Sequence, residues 1–354
     1  MIDFQTLEFD IALDYLRNPF IAENIFDENQ RVLVIQVPEN IDHITPCKAN
    51  EFFERIKSLN VVTVGVVSSP LSDITRPELD MFDVILSGPD TSCDLGVSVP
   101  NLEEGISEIV QAVTNNPQSA ITLVQLLRQR AFLDAANGLA LESVTYSMLQ
   151  SGPEFNAWLT DRGGLPQHRG TEPTVLSLRQ GSLLELSLNR PNRANAFSLE
   201  MRDQLVEQLQ LAYVDKDLER IVLRSEGNSF CSGGDLSEFG LFNNPVDAHL
   251  IRMTRSPASW IHRLKDRVTV YLTGNCIGAG IELPAFAHKI IADETLKISL
   301  PEIQMGLIPG SGGTVSLPRR IGAQRTAYLA ITGRTIDLKT ARAWNLVDEV
   351  GTYT

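Results

Sequence analysis

The chain has 354 residues, enough for two domains. Hydrophobic residues make up 43% and charged residues 21%, an ordinary globular composition able to bury a sizeable core. Lys and Arg total 30 against 44 Asp and Glu, a formal charge of −14, so nucleic acid is excluded as an expected partner and an anionic ligand needs a local basic patch.

Four cysteines (Cys47, Cys93, Cys231, Cys276) lie far apart with no CxxC pair, which points to a reducing, cytoplasmic setting. The N-terminal stretch carries acids where a signal peptide would be basic and then apolar. No run approaches the roughly 18 uninterrupted apolar residues of a membrane span. Histidines at positions 43, 168, 249, 262 and 288 never fall at metal-ligand spacing. No metal, no membrane and no resident cofactor are expected.

In chain order, Gln30–Asn40, Glu54–Val64 and Asp83–Leu86 each contain a short apolar strand signal. Pro117–Leu159 reads as helical, with a break at Gly138 between two amphipathic helices. Asp161–Pro173 holds three Gly and two Pro and reads as a linker. Thr174–Arg179 and Ser182–Asn189 flank Gln-Gly and form a hairpin. Ser198 is placed to cap a helix carrying Met201, Leu205 and Leu209. Strand Ile221–Leu223 leads to the turn Cys231-Ser-Gly-Gly-Asp-Leu236. A helix over about 247–265, strand Val268–Leu272, the turn Gly274–Gly280, helix Ile281–His288 and strands Lys289–Ala292 and Lys297–Ser299 complete an α/β pattern.

The N-terminal strands mirror the later ones: Gln30–Asn40 resembles Gly181–Pro191, and Glu54–Val64 resembles Ile261–Val270. The first copy has no Gly-Gly-Asp turn and no acid after a Gly-rich loop. It reads as a degenerate half-repeat over 1–115, followed by a helical segment over 116–160, the linker over 161–173 and a core over 174–354.

Four patches, in this order and spacing, resemble the enoyl-CoA hydratase/isomerase (crotonase) superfamily: Asn189–Phe197, Ser229–Leu236, Gly278–Leu283 and Leu300–Thr314. The resemblance implies a crotonase-like (ClpP/crotonase) repeated β-β-α superhelix over 174–354, with a truncated N-terminal crotonase-like repeat and intervening helices. It implies an acyl-CoA substrate, with coenzyme A entering as part of that substrate, and a homo-oligomer. In this family two backbone amides stabilise negative charge on the thioester oxygen, and the matching positions are Gly234 and Ala279; one such donor is worth roughly 3–4 kcal/mol. Ala279 stands at the start of the expected helix, whose dipole would add positive potential.

Glu282 and Glu302 match the catalytic pair of the resembling hydratases. Taken alone, Glu282 would be a first-turn acid and Glu302 a surface loop acid. By resemblance Glu282 orients and activates water, and Glu302 transfers a proton at the α-carbon; two carboxylates in an apolar pocket can divide these roles. Arg193 stands beside the expected nucleotide, with backbone groups of Ala194 and Ala196 holding the adenine. Asp235 and Leu236 join them as coenzyme A contacts, although Asp235 also fits an N-cap. Cys231 and Cys276 lack a nearby His and read as packing residues.

The resemblance therefore implies reversible hydration of a 2-enoyl-CoA. An isomerase or acyl-CoA hydrolase on the same scaffold is the alternative, and a non-catalytic acyl-CoA-binding or assembly subunit the reading from another class. Relatives continue beyond the Trp344–Val350 stretch into helices that cover the acyl pocket. Here Pro117–Arg128, Gly138–Ser143 and Phe155–Leu159 resemble those helices, so the upstream segment is expected to line the pocket, within one chain or between subunits.

Overall fold

Runs of β-branched residues set the strands, and prolines and glycines set where the helices stop. The computed structural model describes residues 5–39, 43–68, 77–89, 91, 93–130, 133–166, 170–241 and 244–353, so residue 40 of the first strand segment and 167–169 of the expected linker lie outside it. The chain divides into two units, Met1–Phe132 with Gly322–Thr332, and Leu133–Ile321 with Gly333–Thr354. The division falls inside the 116–160 helical stretch rather than at the 161–173 segment.

The first unit is built on a five-stranded, all-parallel sheet of β1 (Thr6–Glu8), β2 (Val32–Gln36), β3 (Val62–Val67), β4 (Val84–Ser87) and β5 (Val97–Ser98), in that order. Every residue of β3, Val-Thr-Val-Gly-Val-Val, is buried, as expected for a parallel strand covered on both faces. Helices α1 (Phe9–Leu16), α2 (Ile21–Asp27), α3 (Pro46–Ile56), α4 (Leu102–Asn115) and α5 (Pro117–Arg128) belong to this unit, as does the later helix Ala323–Thr332. Arg128, at the end of α5, is buried against Asp83 through two bonds of 2.8 and 2.6 Å. Its remaining donors reach the carbonyls of Ile56, Leu59 and Val61, while Asp83 accepts from the amide and hydroxyl of Thr63. A buried ion pair is tolerated only when its lone pairs and protons are occupied in this way.

The second unit opens with α6 (Ala135–Gln150) and α7 (Pro153–Arg162). Asp134 caps α6, accepting from the Asn137 amide at 2.8 Å, and Pro153 starts α7 at the position where a missing N–H costs nothing. The helical stretch thus breaks before Pro117, before Asp134 and before Pro153, and not at Gly138, which sits inside α6. Gly138, Glu142 and Tyr146 lie four residues apart on one face of α6 and meet Val315, Gly312 with Thr314, and Gly310 respectively.

The hairpin β6 (Val175–Gln180) and β7 (Leu183–Leu188) turns at Gly181. After it come α8 (Leu199–Val214), capped by Ser198, and β8 (Arg220–Ser225). The helix expected over 247–265 is two, α9 (Pro245–Thr254) and α10 (Pro257–Leu264), because Pro257 cannot continue the ladder and Ser256 caps a new start. Next are β9 (Val268–Leu272), β10 (Asn275–Ile277), α11 (Ala279–Glu282), β11 (Lys289–Ala292), β12 (Lys297–Ser299) and α12 (Gly313–Ile321). The chain then enters Ala323–Thr332, α13 of the first unit, and returns with β13 (Ile336–Asp337), α14 (Leu338–Ala343) and β14 (Glu349–Val350). The main sheet runs β14-β11-β9-β8-β7-β6, parallel except for the hairpin, and a smaller sheet runs β10-β12-β13. Strand order that steps regularly across the sheet places the turns after β8 and β9 side by side.

The helix expected over Ile281–His288 is much shorter. Pro284 removes the donor that would bond Gly280, so α11 is a single turn and Pro284–Phe286 continues as a 3-10 turn.

Tyr146 lies flat on Gly310, where an added Cβ would stand 2.3 Å from the ring. Gly310→Ala should therefore push α6 off its seat and cost about 1–3 kcal/mol in urea unfolding, as overpacking typically does. Tyr146→Leu in the same chain should recover part of the loss. Unchanged stability of Gly310→Ala would mean that this contact does not hold α6.

Candidate active site

A cavity of about 550 Å³ opens in the second unit, walled by α6, α7, α9 and the turns that follow β8 and β10. One wall is an aromatic cluster: Phe155 and Trp158 of α7 stack at 5.8 Å between ring centroids, and Phe239 packs against Trp158 at 6.0 Å. Arg162 ties α7 down by donating to the carbonyls of Leu236 and Phe239.

The two Gly-rich turns are stitched together. The Cys231 amide donates to Asn275 O at 3.0 Å and the Ile277 amide to Cys231 O at 2.9 Å. On the other side, Phe197 donates to Gly233 O and Asp235 donates to Phe197 O, which leaves the Gly234 amide between them unused. Gly278 donates to Ser299 O, and α11 begins at the next residue, where a first-turn amide has no partner in its own helix. The amides of Gly234 and Ala279 donate to no other described residue, and both residues line the cavity. With α11 only one turn long, positive potential here comes from these orphan N–H groups rather than from a long helix dipole.

Glu282, at the end of α11, is 1% exposed, and its Oε2 accepts from the Ser311 and Gly313 amides at 2.7 and 2.9 Å. Glu302 opens the 3-10 turn Glu302–Met305, is also buried, and its Oε2 has no hydrogen-bond partner among the described residues. Gly278, at φ +49°, backs onto this carboxylate: a Cβ there would stand 2.4 Å from Glu302 Oε1 and 3.7 Å from Glu282 Oε1. The two acids thus meet over one glycine, where no side chain fits.

A third acid, Glu142 of α6, joins them; it falls within the Gly138–Ser143 stretch expected to line the pocket, but in none of the four motif patches. It is 2% exposed; its Oε1 accepts from the Gly312 amide at 2.7 Å, and its Oε2 accepts from the Thr314 amide and hydroxyl at 3.0 and 2.6 Å. Its signal in the sequence is that it is the sole charged residue among the 16 of α6. Tyr146 and Arg252 join it at the cavity, the guanidinium 4.8 Å above the phenol ring and bonded to Ser143, Ser147 and Gln150.

Burial dominates the electrostatics. It raises the Glu302 carboxyl to about 8, with the Glu142 charge adding to the effect. It raises Glu142 to about 7 against the opposing bonds from Thr314 and Gly312. Glu282 is driven well above the usual carboxylate range by burial, then by the charges of Glu302 and Glu142, and its two amide donors pull the other way. Burial also raises Cys231 to about 12 and Cys276 well above a free thiol, so neither is a nucleophile at neutral pH.

The residues expected at coenzyme A are spread along a rim. Asp235 and Leu236 line the cavity, whereas Arg193, Ala194 and Ala196 stand on the loop before it and do not. Ala194 and Asn195 are both left-handed, at φ +47° and +52°, and the Ala194 carbonyl accepts from Ser232, which joins this loop to the first Gly-rich turn. Arg193 is half-exposed, its nearest ion-pair contact a loose 3.9 Å to Asp235. Asp235 is buried; burial opposes its ionisation, but bonds from Ser237 and from Arg190 at 2.8 Å prevail and hold its carboxyl below the usual range. Arg190, unremarked in the sequence, is thus the clamp on this turn, and it also reaches the Ala196 carbonyl. Among the described residues no group of three or more His, Cys, Asp or Glu is placed to hold a metal ion, and no helix is long and apolar enough to cross a membrane.

Of the upstream segment, residues of α6 and α7 line the cavity, supplied by the same chain, whereas α5 belongs to the first unit. The pocket is thus lined in part by residues from 117–160, those of α6 and α7, while Arg128 at the end of α5 is committed to Asp83 and the carbonyls of Ile56, Leu59 and Val61.

The enoyl-CoA hydratase/isomerase family profile matches residues 179–352. The 2,3-dehydroadipyl-CoA hydratase of Escherichia coli (strain K12) is 31% identical over 174 residues, 49% of this chain and 67% of that protein. The enoyl-CoA isomerase/hydratase fer4 of Mycosarcoma maydis is 32% identical over 174 residues, 47% of this chain and 64% of that protein. Among solved structures, an enoyl-CoA hydratase from Thermoplasma volcanium GSS1 is 33% identical, with a TM-score of 0.47 over 51% of this chain and 72% of that one. The α/β fold is crotonase-like over this half of the molecule, and the chain belongs to the enoyl-CoA hydratase/isomerase (crotonase) family.

Proposed function

We propose that this acyl-CoA-processing protein reversibly hydrates a 2-enoyl-CoA thioester. The observation that carries the reading is the opposite setting of two acids around one cavity: Glu282 is gripped by two amides, and Glu302 keeps a buried oxygen with no partner. Amide donors favour the ionised form, and an uncompensated apolar setting favours the protonated one. Burial raises both carboxyls, and the charges of Glu302 and Glu142 raise Glu282 further. Protonation of those two neighbours removes that repulsion and leaves Glu282, with its two amide donors, as the member of the pair whose ionised form the protein supports.

In this mechanism the thioester oxygen lies against the amides of Gly234 and Ala279, which stabilise the enolate as charge moves onto that oxygen. Ionised Glu282 takes a proton from water as its oxygen bonds to the β-carbon. Protonated Glu302 delivers a proton to the α-carbon as the enolate collapses. Water is thereby added across the double bond, and proton exchange between the two acids and solvent restores the starting state. Coenzyme A enters with the substrate, and Arg193, Ala194, Ala196, Asp235 and Leu236 are the groups proposed to meet it. Double-bond isomerisation is the second reading, favoured by the free Oε2 of Glu302, which can carry a proton between the α- and γ-carbons unaided.

Loss of the enone absorbance of crotonyl-CoA and longer enoyl-CoAs tests the assignment. Glu282→Gln and Glu302→Gln should each lower kcat by about two orders of magnitude or more. Unchanged rates in both would remove the pair from the reaction. If Glu282→Gln abolishes hydration but spares isomerisation of a 3-enoyl-CoA, the second reading holds.

The pH dependence follows from the same groups. Glu302 must be protonated to donate, so hydration should decline as pH rises past about 8, with an apparent value belonging to the coupled acids. Stability has the same sign. A carboxyl raised in the folded state stabilises it fully below the ordinary carboxylate value of about 4.3, and this contribution is lost as pH rises through about 8. Glu302→Gln should therefore flatten the fall of Tm between about pH 5 and pH 8; superposable profiles would contradict the burial of an ionisable Glu302.

A further inference from the structure

Glu142 lies outside the matched stretch 179–352, yet it draws on the same four-residue segment, Ser311–Thr314, that supplies the donors to Glu282. The amides of Ser311 and Gly313 donate to Glu282 at 2.7 and 2.9 Å, and those of Gly312 and Thr314 donate to Glu142 at 2.7 and 3.0 Å. Successive peptide groups at the start of α12 are thus dealt alternately to two carboxylates. Successive rigid peptide planes share their Cα atoms, so pinning the Gly312 and Thr314 amides narrows the φ and ψ open to the residues beside them, and with these the directions of the Ser311 and Gly313 amides. Anchoring α6 does not by itself call for an acid here, since Gly138 and Tyr146 already seat the helix on Val315 and Gly310. A carboxylate at 2% exposure is costly wherever an apolar side chain would serve.

We propose that Glu142 is a positioning residue, which keeps the Ser311 and Gly313 amides aimed at Glu282 and makes the upstream helix α6 a working part of the active site. This inference rests on the reading of Glu282 as the group that activates water. Glutamine cannot replace Glu142: it fills the same volume but has one acceptor oxygen, so its NH₂ must face the N–H of Gly312 or of Thr314. Aspartate keeps both acceptors on a shorter stem.

The test compares Glu142→Gln, Glu142→Asp and Thr314→Val in the full chain. Glu142→Gln should lower kcat for crotonyl-CoA hydration about 10- to 100-fold with KM held within about twofold, the scale of an ångström-sized misplacement, and Glu142→Asp should recover part of it. Amide hydrogen exchange at Ser311 and Gly313, which do not touch Glu142, should quicken in Glu142→Gln. A wild-type kcat with unchanged exchange at those two amides overturns the proposal, as does a loss confined to KM. If Glu142→Gln does not fold, Thr314→Val removes one of the three bonds to Glu142 at constant volume; a clear fall in its kcat supports the proposal and a wild-type value overturns it. If the wild-type protein turns over no enoyl-CoA, the functional reading fails, and the exchange rates alone decide: faster at Ser311 and Gly313 supports the coupling, unchanged overturns it.

Discussion

Three carboxyl groups buried around one cavity impose the main constraint on this molecule. Ionised acids are costly to bury, and here each is handled differently. Glu282 and Glu142 draw on backbone amides, four of them from Ser311–Thr314, and Glu302 is left with a bare oxygen. The loop that supplies the amides must be rich in small residues, because Gly310, Gly312 and Gly313 stand against Tyr146, Phe286 and Glu282 with no room for a side chain. The Gly-Ser-Gly-Gly-Thr sequence is thus the counterpart of the acids.

The half of the molecule that carries the cavity is the part its sequence expresses most directly. Glu282, Glu302, Gly234 and Ala279 stand in short motifs whose residue types are set by close backbone approach, and all four line one cavity. The hairpin, the cap at Ser198 and strand Val268–Leu272 follow equally from local pattern. In two places where pattern and structure part, proline is the reason: Pro257 splits a helix and Pro284 cuts another to one turn.

Glu142 shows in the sequence only as a lone charge in an otherwise uncharged helix, and its partners do not show at all. Its partners lie 170 and 172 residues away, and no local periodicity reports a contact at that range. The loop proposed to meet coenzyme A shows the same limit: Arg193 stands out as a cation, whereas Arg190, three residues earlier, makes the bond to buried Asp235.

The route of the chain through α13 has a practical corollary. That helix is buried along nearly its whole length, from Ala323 to Thr332, and its Gln324 donates to Asp80 and Phe82 of the first unit. Three crossings of the backbone connect the units, so no single cut separates them. A fragment starting at residue 133 would keep α13 while discarding its sheet, and would present a greasy, orphaned cylinder to solvent. Excision of the amino-terminal unit is therefore a poor route to a smaller protein, and any transplant of the cavity-bearing half must bring the sheet that shelters α13.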